Sequence, residues 1–121
     1  MLFTDTPGKP APPEVKDWDK DHVDLEWRAP RDNGAPIKEY IIEKRPKGQL
    51  AWEEGARVPG TELKGTVPGL TEGQEYEFRI VAVNKAGPGE PSDPSDMVLC
   101  KPRRREYELK RNDSLDRQSA A

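Results

Sequence analysis

Hydrophobic and polar residues alternate along much of the chain, and the longest alternating run extends from residue 74 to residue 84. Tyr76, Phe78, Ile80 and Ala82 fall on one face, whereas Glu75, Glu77 and Arg79 fall on the other. A period of two is the pattern of a β-strand with one buried face and one solvated face. The run therefore predicts a long strand against which the rest of the chain packs.

A sharp corner is predicted directly before this strand. Leu70 and Gly73 have a Leu-x-x-Gly spacing, and Tyr76 follows three residues later. A tyrosine at this place can lay its ring in the core while its hydroxyl hydrogen-bonds upstream backbone, an arrangement called a tyrosine corner in β-sandwiches. We therefore expect Tyr76 to have a structural role and not a catalytic one.

Six shorter segments also have strand-like patterns, with turns rich in proline, glycine, asparagine and aspartate between them. They cover residues 12–15, 22–28, 37–45, 51–58, 61–67 and 97–100. Together with the run at 74–84 they predict an all-β fold, a seven-stranded antiparallel sandwich of two sheets with Greek-key connections. The predicted core side chains are Trp27, Tyr40, Ile42, Leu63, Val67, Leu70, Tyr76, Phe78, Ile80 and Ala82.

Length and composition agree with one β-rich domain. The chain has 121 residues, of which 32% are hydrophobic and 36% charged, and the apolar residues concentrate between Val15 and Leu99. Thirteen prolines and ten glycines without a period fit many short strands joined by turns. We expect a flexible N-terminal segment over residues 1–8, the folded domain over 9–101, and a basic, disordered tail or linker over 102–121.

The charge is distributed unevenly along the chain. Residues 1–100 carry 13 basic and 19 acidic side chains, a net charge of −6, whereas residues 101–121 carry 7 basic and 4 acidic ones, a net charge of +3. An acidic body argues against a nucleic-acid-binding domain, because contacts to phosphates need a basic surface. No apolar run is long enough to span a bilayer, and the first four residues are too short for a secretory signal.

Catalytic and metal-binding chemistry has almost no support in the sequence. His22 is the single histidine and Cys100 the single cysteine, so neither a His-pair metal site, a multi-cysteine zinc site nor an intrachain disulfide can form. Phosphate-binding glycine motifs are also missing. We therefore predict a protein that is not an enzyme and needs no cofactor.

One candidate partner surface lies on the solvated face of the long strand, at Arg79, Val81 and Val83. Strict alternation sends both valines outward. They are either covered within the chain by the strand that contains Trp52, the interpretation favoured here, or exposed as a patch for a partner. Trp52 itself is expected to anchor its strand.

The tail offers several weak signals. Arg103–Arg105 could contact an anionic surface, although a charge run is usually only solvated. Arg111 precedes Ser114 by three residues, which suits a basic-directed kinase and makes Ser114 a candidate phosphorylation site. In a secretory compartment, Asn112 would instead be a glycosylation acceptor. An unmodified tail is the third possibility.

Several segments in combination resemble a fibronectin type III domain over about residues 9–100. They are Pro12-Pro13, Trp27, DNGAPIKEYIIEKR and LTEGQEYEFRIVAVNKAGPGEPS. Two segments, DNGAPIKEYIIEKR and AVNKAGPGEPSDPS, look more narrowly like the modules of the giant muscle proteins titin, twitchin and projectin, and the myosin-binding protein C family is similar in the same segments. The loop at residues 85–90 lacks the Arg-Gly-Asp motif that some extracellular relatives carry.

This resemblance implies a module of a tandem array in a giant cytoplasmic sarcomere protein, located in the A-band, with its termini at opposite ends. Its partners would be neighbouring immunoglobulin-like or fibronectin type III domains of the same chain, with thick-filament proteins such as myosin as further candidates. The module would be monomeric and would bind neither membranes nor nucleic acid. Two alternatives stay open: a module of an extracellular adhesion receptor or matrix protein, and an accessory domain attached to an enzyme such as a kinase.

Overall fold

A computed structural model describes residues 4–102, which contain eight strands and no helix. The strands are β1 (Glu14–Trp18), β2 (Val23–Glu26), β3 (Glu39–Pro46), β4 (Glu53–Pro59), β5 (Lys64–Val67), β6 (Glu75–Asn84), β7 (Gly87–Pro88) and β8 (Val98–Leu99). Each of the seven predicted strands has a counterpart. The additional strand, β7, has two residues and lies in the segment that was predicted as a loop after β6.

The strands form two antiparallel sheets, as predicted. One sheet has three strands in the order β1-β2-β5, and the other has five, with β4-β3-β6-β7 as neighbours and β8 also paired with β6. β7 pairs with one end of β6, where Pro88 is opposite Val83, and β8 pairs with the other, where Val98 is opposite Tyr76. The all-β sandwich is confirmed, and the predicted last strand corresponds to β8.

The core lies between the two sheets. Nine of the ten predicted core residues belong to one buried cluster: Trp27, Tyr40, Ile42, Val67, Leu70, Tyr76, Phe78, Ile80 and Ala82. Val23, Leu25, Val98 and Cys100 complete this cluster. Trp27 and Tyr40 meet edge to face, with ring centroids 5.5 Å apart. The face of β6 that the period-two pattern predicted to be buried is therefore the face that packs in the core.

Leu63 is the exception, because its side chain is 40% exposed. β5 begins one residue later, so the alternation of the strand does not extend back to Leu63. Farther along the strand, the interior side of Gly65 is filled by neighbours: a Cβ there would lie 2.9 Å from Ile42 Cδ1 and 3.4 Å from Trp27 Cη2. The prediction of Leu63 as a core residue was wrong, and this part of the core is built from Gly65 and its neighbours.

The predicted tyrosine corner is present. The backbone amide of Thr71 donates a hydrogen bond to the Tyr76 hydroxyl oxygen, at 3.0 Å, and the tyrosine ring is buried. The phenol therefore contributes both apolar area to the core and an acceptor to the turn before β6.

The segment between β7 and β8 pairs with β6 in an unusual way. Ser92 and Ser95 donate their backbone N–H groups to the carbonyls of Ile80 and Phe78, at 2.9 and 2.7 Å. In return, the N–H groups of Ile80 and Phe78 donate to the two serine hydroxyl oxygens, at 2.9 and 3.1 Å. Hydroxyls thus replace carbonyls as acceptors. The step from Ser92 to Ser95 is three residues long, whereas the step between their partners Ile80 and Phe78 is two residues long. Three residues of the segment therefore lie opposite two residues of β6.

The two ends of the described chain lie at opposite ends of β6. The backbone carbonyl of Asp5 accepts a hydrogen bond from the side chain of Asn84, at the end of β6. Cys100 exchanges backbone hydrogen bonds with Gly73 and Gln74, just before β6 begins. Ten residues of extended chain span roughly 30 Å. A chain that enters near Asp5 therefore leaves the module at its far end.

Residues 4–8 differ from the predicted flexible segment outside the domain. The backbone amides of Asp5 and Gly8 donate to the carbonyls of Asn33 and Arg31, at 3.0 and 2.9 Å. The described part of the N-terminal segment is therefore hydrogen-bonded to the loop between β2 and β3.

Candidate interaction surface

The outer face of the five-stranded sheet contains the three predicted partner residues, and the structure separates them. Val81 and Val83 are buried, with only 6% and 8% of their surface exposed. They lie outside the main core cluster, on the other face of β6. An exposed valine patch for a partner is therefore ruled out in this fold.

The neighbours of the two valines also differ from the predicted cover. Val81 is directly opposite Ile41 on β3, and Val83 lies between Glu39 on β3 and Pro88 on β7. The strand after Trp52, β4, pairs with β3 and is not adjacent to β6. Sequence alternation correctly predicted the face on which the valines lie, but pairing between distant strands determines their neighbours.

Arg79 is part of a ladder of ion pairs farther along the same face. Its Nε lies 2.7 Å from Glu43 Oε1, and the two residues are directly opposite each other on β6 and β3. Arg45 Nε donates to Glu77 Oε1 at 2.8 Å, again between opposite residues. Because positive and negative residues alternate along both strands, each cross-strand pair brings opposite charges together.

Trp52 lies over this ladder. The guanidinium carbons of Arg45 and Arg79 are 4.3 and 4.5 Å from the centre of its ring, within the range of a cation–π contact. The predicted role of Trp52 as an anchor agrees with this packing, although it packs on the outer face and not in the core. Both arginines of the ladder are already paired with a carboxylate, so neither is free to bind an anionic ligand.

We expect the pair Arg79–Glu43 to contribute measurably to stability. Its side chains are only 26% and 23% exposed, so water screens it less than a typical surface pair. A double-mutant cycle with Arg79→Ala and Glu43→Ala should give a coupling free energy of about 0.5–1 kcal/mol in urea unfolding, and added salt should reduce it. The exposed pair Lys9–Asp93 is the control and should show no measurable coupling. Equal coupling in both pairs would contradict the role assigned to the ladder.

His22 is involved in a local hydrogen bond and not in a relay. Its Nδ1 lies 2.9 Å from Asp21 Oδ1, and this bond raises the pKa of His22 above its ordinary value of 6.5, against a smaller opposing effect of burial.

Among residues 4–102, no group of three or more His, Cys, Asp or Glu side chains is arranged to hold a metal ion. Burial also raises the pKa of the Cys100 thiol, which disfavours the reactive thiolate.

The raised pKa of His22 predicts a small pH effect on stability. A group with a raised pKa in the folded state stabilises fully below its unfolded value of about 6.5, and this contribution is lost as the pH rises through the folded value. An NMR titration of the imidazole should give a midpoint above 6.5, and Asp21→Asn should lower it. A midpoint that Asp21→Asn leaves unchanged would rule out this hydrogen bond as the cause.

Asn84 is a residue that the sequence patterns did not single out. Its buried side-chain amide donates to the backbone carbonyls of Asp5 and Asp32, at 2.7 and 2.8 Å, and its Oδ1 accepts from the amide of Ala86 at 2.8 Å. The available signal was a polar residue directly after the apolar stretch Ile80–Val83, but the partners of Asn84 are distant in sequence. Arg103–Arg105, Asn112 and Ser114 lie outside the described residues.

The two-sheet sandwich with its tyrosine corner defines an immunoglobulin-like β-sandwich module. Residues 8–98 match the family described as fibronectin type III domain. The chain belongs to this family, and the resemblance seen in the sequence is confirmed.

The relatives of this chain include a contactin and a titin homolog. Contactin-6 of Homo sapiens is 42% identical over 101 residues, which cover 78% of this chain and 10% of contactin-6. The titin homolog of Caenorhabditis elegans is 32% identical over 130 residues, which cover 100% of this chain and 1% of that protein. A crystal structure of titin domains matches with a TM-score of 0.77 and 34% identity, over 81% of this chain and 33% of that chain. The chain thus spans a tenth or less of these two relatives.

The fibronectin type III fold is a structural, non-catalytic fold that occurs in tandem with neighbouring domains, in muscle proteins and in contactins alike. The described residues include no helix that is both long and apolar enough to cross a membrane.

Proposed function

We propose that this chain is a structural and protein-interaction module of a giant cytoplasmic muscle protein, in which it acts as a scaffold or elastic element of a tandem array. The observation that carries the proposal is the extent of the similarity to the titin homolog. It covers the whole chain, including residues after position 98, where the family match ends. Similarity outside the common fold supports a shared context in addition to a shared fold.

The geometry of the module supports a mechanical role. The two ends of the described chain, near Asp5 and Cys100, lie at opposite ends of β6, so neighbouring domains would pull along the length of the sandwich. β3 and β6 are paired over eight residues each, which gives a long antiparallel ladder to resist that load. The proposed module has no catalytic residues and no cofactor of its own, and a kinase domain elsewhere in the parent protein is compatible with it.

The proposed partners follow from the array. They are the adjacent immunoglobulin-like or fibronectin type III domains, which would contact the ends of the module, and thick-filament proteins such as myosin, which would contact its faces. In this proposal the module is monomeric, binds neither membranes nor nucleic acid, and lies in the A-band of the sarcomere. Ser114 remains a candidate phosphorylation site.

Antibodies against residues 103–121 test the location of the parent protein, because this segment lies outside the family match and separates this module from others of the same fold. In permeabilised muscle of the source organism we expect regular striations in the A-band. Competition with the free 103–121 peptide is the control. Labelling of intact, unpermeabilised cells would contradict the proposal.

Single-molecule force measurements test the mechanical part. A chain held by its two termini should unfold in one discrete event, because the β3–β6 ladder must break before the core opens. Smooth extension without a force peak would exclude a load-bearing role for the module.

An extracellular adhesion module is the second candidate, and the 42% identity to contactin-6 favours it. In that case Asn112, in the sequence Asn-Asp-Ser, would be a glycosylation acceptor. Mass spectrometry of the parent protein from its own tissue should then find a glycan on Asn112. An unmodified Asn112 together with internal antibody labelling would reject this alternative.

A further inference from the structure

The N-terminal strap, defined as residues 4–9, is held on two sides. On one side, the amides of Asp5 and Gly8 donate to carbonyls in the loop between β2 and β3, as described above. In the same loop, Asn33 Nδ2 donates to the carbonyl of Thr6 at 2.9 Å. Three hydrogen bonds therefore join Asp5, Thr6 and Gly8 to this loop.

On its other side the strap lies against the segment that follows β7. A Cβ built on Gly89 would lie 2.1 Å from the carbonyl oxygen of Pro7, a distance that no side chain can occupy. The backbones thus approach each other as closely as glycine permits. Lys9 and Asp93 add an ion pair at 3.0 Å, which is exposed and contributes little.

The side chain of Asn84 connects the strap to both sides. Its amide nitrogen donates to Asp5 in the strap and to Asp32 in the loop, and its oxygen accepts from Ala86 in the turn before β7. Because the Asn84 side chain is buried, removing its amide would leave the carbonyls of Asp5 and Asp32 without this donor. Asn84 is therefore the residue on which the position of the strap depends most.

We propose that the strap is an integral, force-bearing part of the module and that it fixes the direction from which a preceding β-sandwich domain of the same chain is attached. The two ends of a free linker of six residues have a root-mean-square separation of roughly 14 Å and no fixed direction. A strap held from Asp5 onward removes that freedom, so the N-terminal junction is stiff. The existence of a preceding domain rests on the proposed function, whereas the bonds of the strap do not.

Backbone amide hydrogen exchange on the whole chain tests the strap directly. In the native chain we expect the amides of Asp5 and Gly8 to be protected. In Asn84→Ala and Asn84→Asp, both of which lack the donating amide, their exchange should accelerate about tenfold or more while amides of β3 stay protected. Lys85→Ala changes an exposed neighbour outside the strap contacts and is the matched control.

Two further variants keep the test decisive if Asn84 variants fail to fold. Gly89→Ala should displace the strap sterically without changing Asn84. Asn33→Gly removes the bond to Thr6 but allows the left-handed backbone of this residue, whose φ is 55°. Both should accelerate exchange at Asp5. Native exchange at the rate of an unstructured peptide, or unchanged protection in all the variants that fold, would overturn the proposal.

The force experiment gives a second measure. If Asn84→Ala releases six residues before the module unfolds, the gain in contour length at the main event should shrink by about 20 Å relative to the native chain. Equal gains would contradict a force-bearing strap. Since these readouts concern this chain alone and the antibody labelling concerns its parent, either proposal can fail without the other.

Discussion

Replacing Ser92 and Ser95 together by alanine should lower the free energy of unfolding by about 2–6 kcal/mol. The two hydroxyls are the acceptors for the buried N–H groups of Ile80 and Phe78 in β6. Alanine leaves both donors without a partner in a place that water does not reach, and each unsatisfied donor costs about 1–3 kcal/mol. The Ser95 hydroxyl also donates to the carbonyl of Asp96, which orients its oxygen toward Phe78. Equilibrium unfolding in urea measures the loss.

The control for this experiment is Glu90→Ala, an exposed position in the same segment, which should change stability by less than about 0.5 kcal/mol. Each single serine variant should account for roughly half of the loss in the double variant, and exchange of the Ile80 and Phe78 amides should accelerate. A double variant as stable as the native chain would show that the hydroxyls are not needed as acceptors.

Tyr76→Phe should cost about 1–2 kcal/mol, because it removes the acceptor of the Thr71 amide while leaving the ring in the core. The volume of the side chain hardly changes, so the loss reports the corner hydrogen bond and not a cavity. Thermal and urea unfolding should agree on the sign, and no measurable loss would remove the corner bond from the account of stability.

Tyr40→Phe is the matched control and should have the opposite sign or no effect. The Tyr40 hydroxyl is fully buried and has no hydrogen-bond partner among residues 4–102, and its burial raises its pKa. Removing an unpaired hydroxyl relieves a desolvation cost, so the variant should be as stable as the native chain or more stable. If both Tyr→Phe variants lose the same stability, the contrast between a paired and an unpaired phenol is wrong.

The fold was predictable from the sequence because its signals are local. Alternation in β6 determines which side chains face the core, and the spacing from Leu70 to Tyr76 is enough to indicate the corner. Prolines and glycines mark most of the turns. These features depend on residues within a few positions of one another, and the structure agrees with them.

The surroundings of the candidate site were not predictable, because they depend on which strands are neighbours. Val81 and Val83 were correctly placed on the outer face, but their burial depends on β3 and β7. Asn84 joins positions that are 79 and 52 residues away in sequence. Leu63 failed for a different reason, since the strand begins one residue after it and its neighbour Gly65 lets other side chains fill the core.

The three-to-two match between residues 89–95 and β6 has a consequence for assembly. Pro91 and Pro94 each precede one of the paired serines. Because proline has no backbone N–H group, neither residue can donate a hydrogen bond at the open edge of the sheet. A strand from another copy would find few donors along this edge, so it could not extend the sheet by pairing there. In a chain that holds many similar sandwiches close together, such an edge protects folded modules from aggregating with one another.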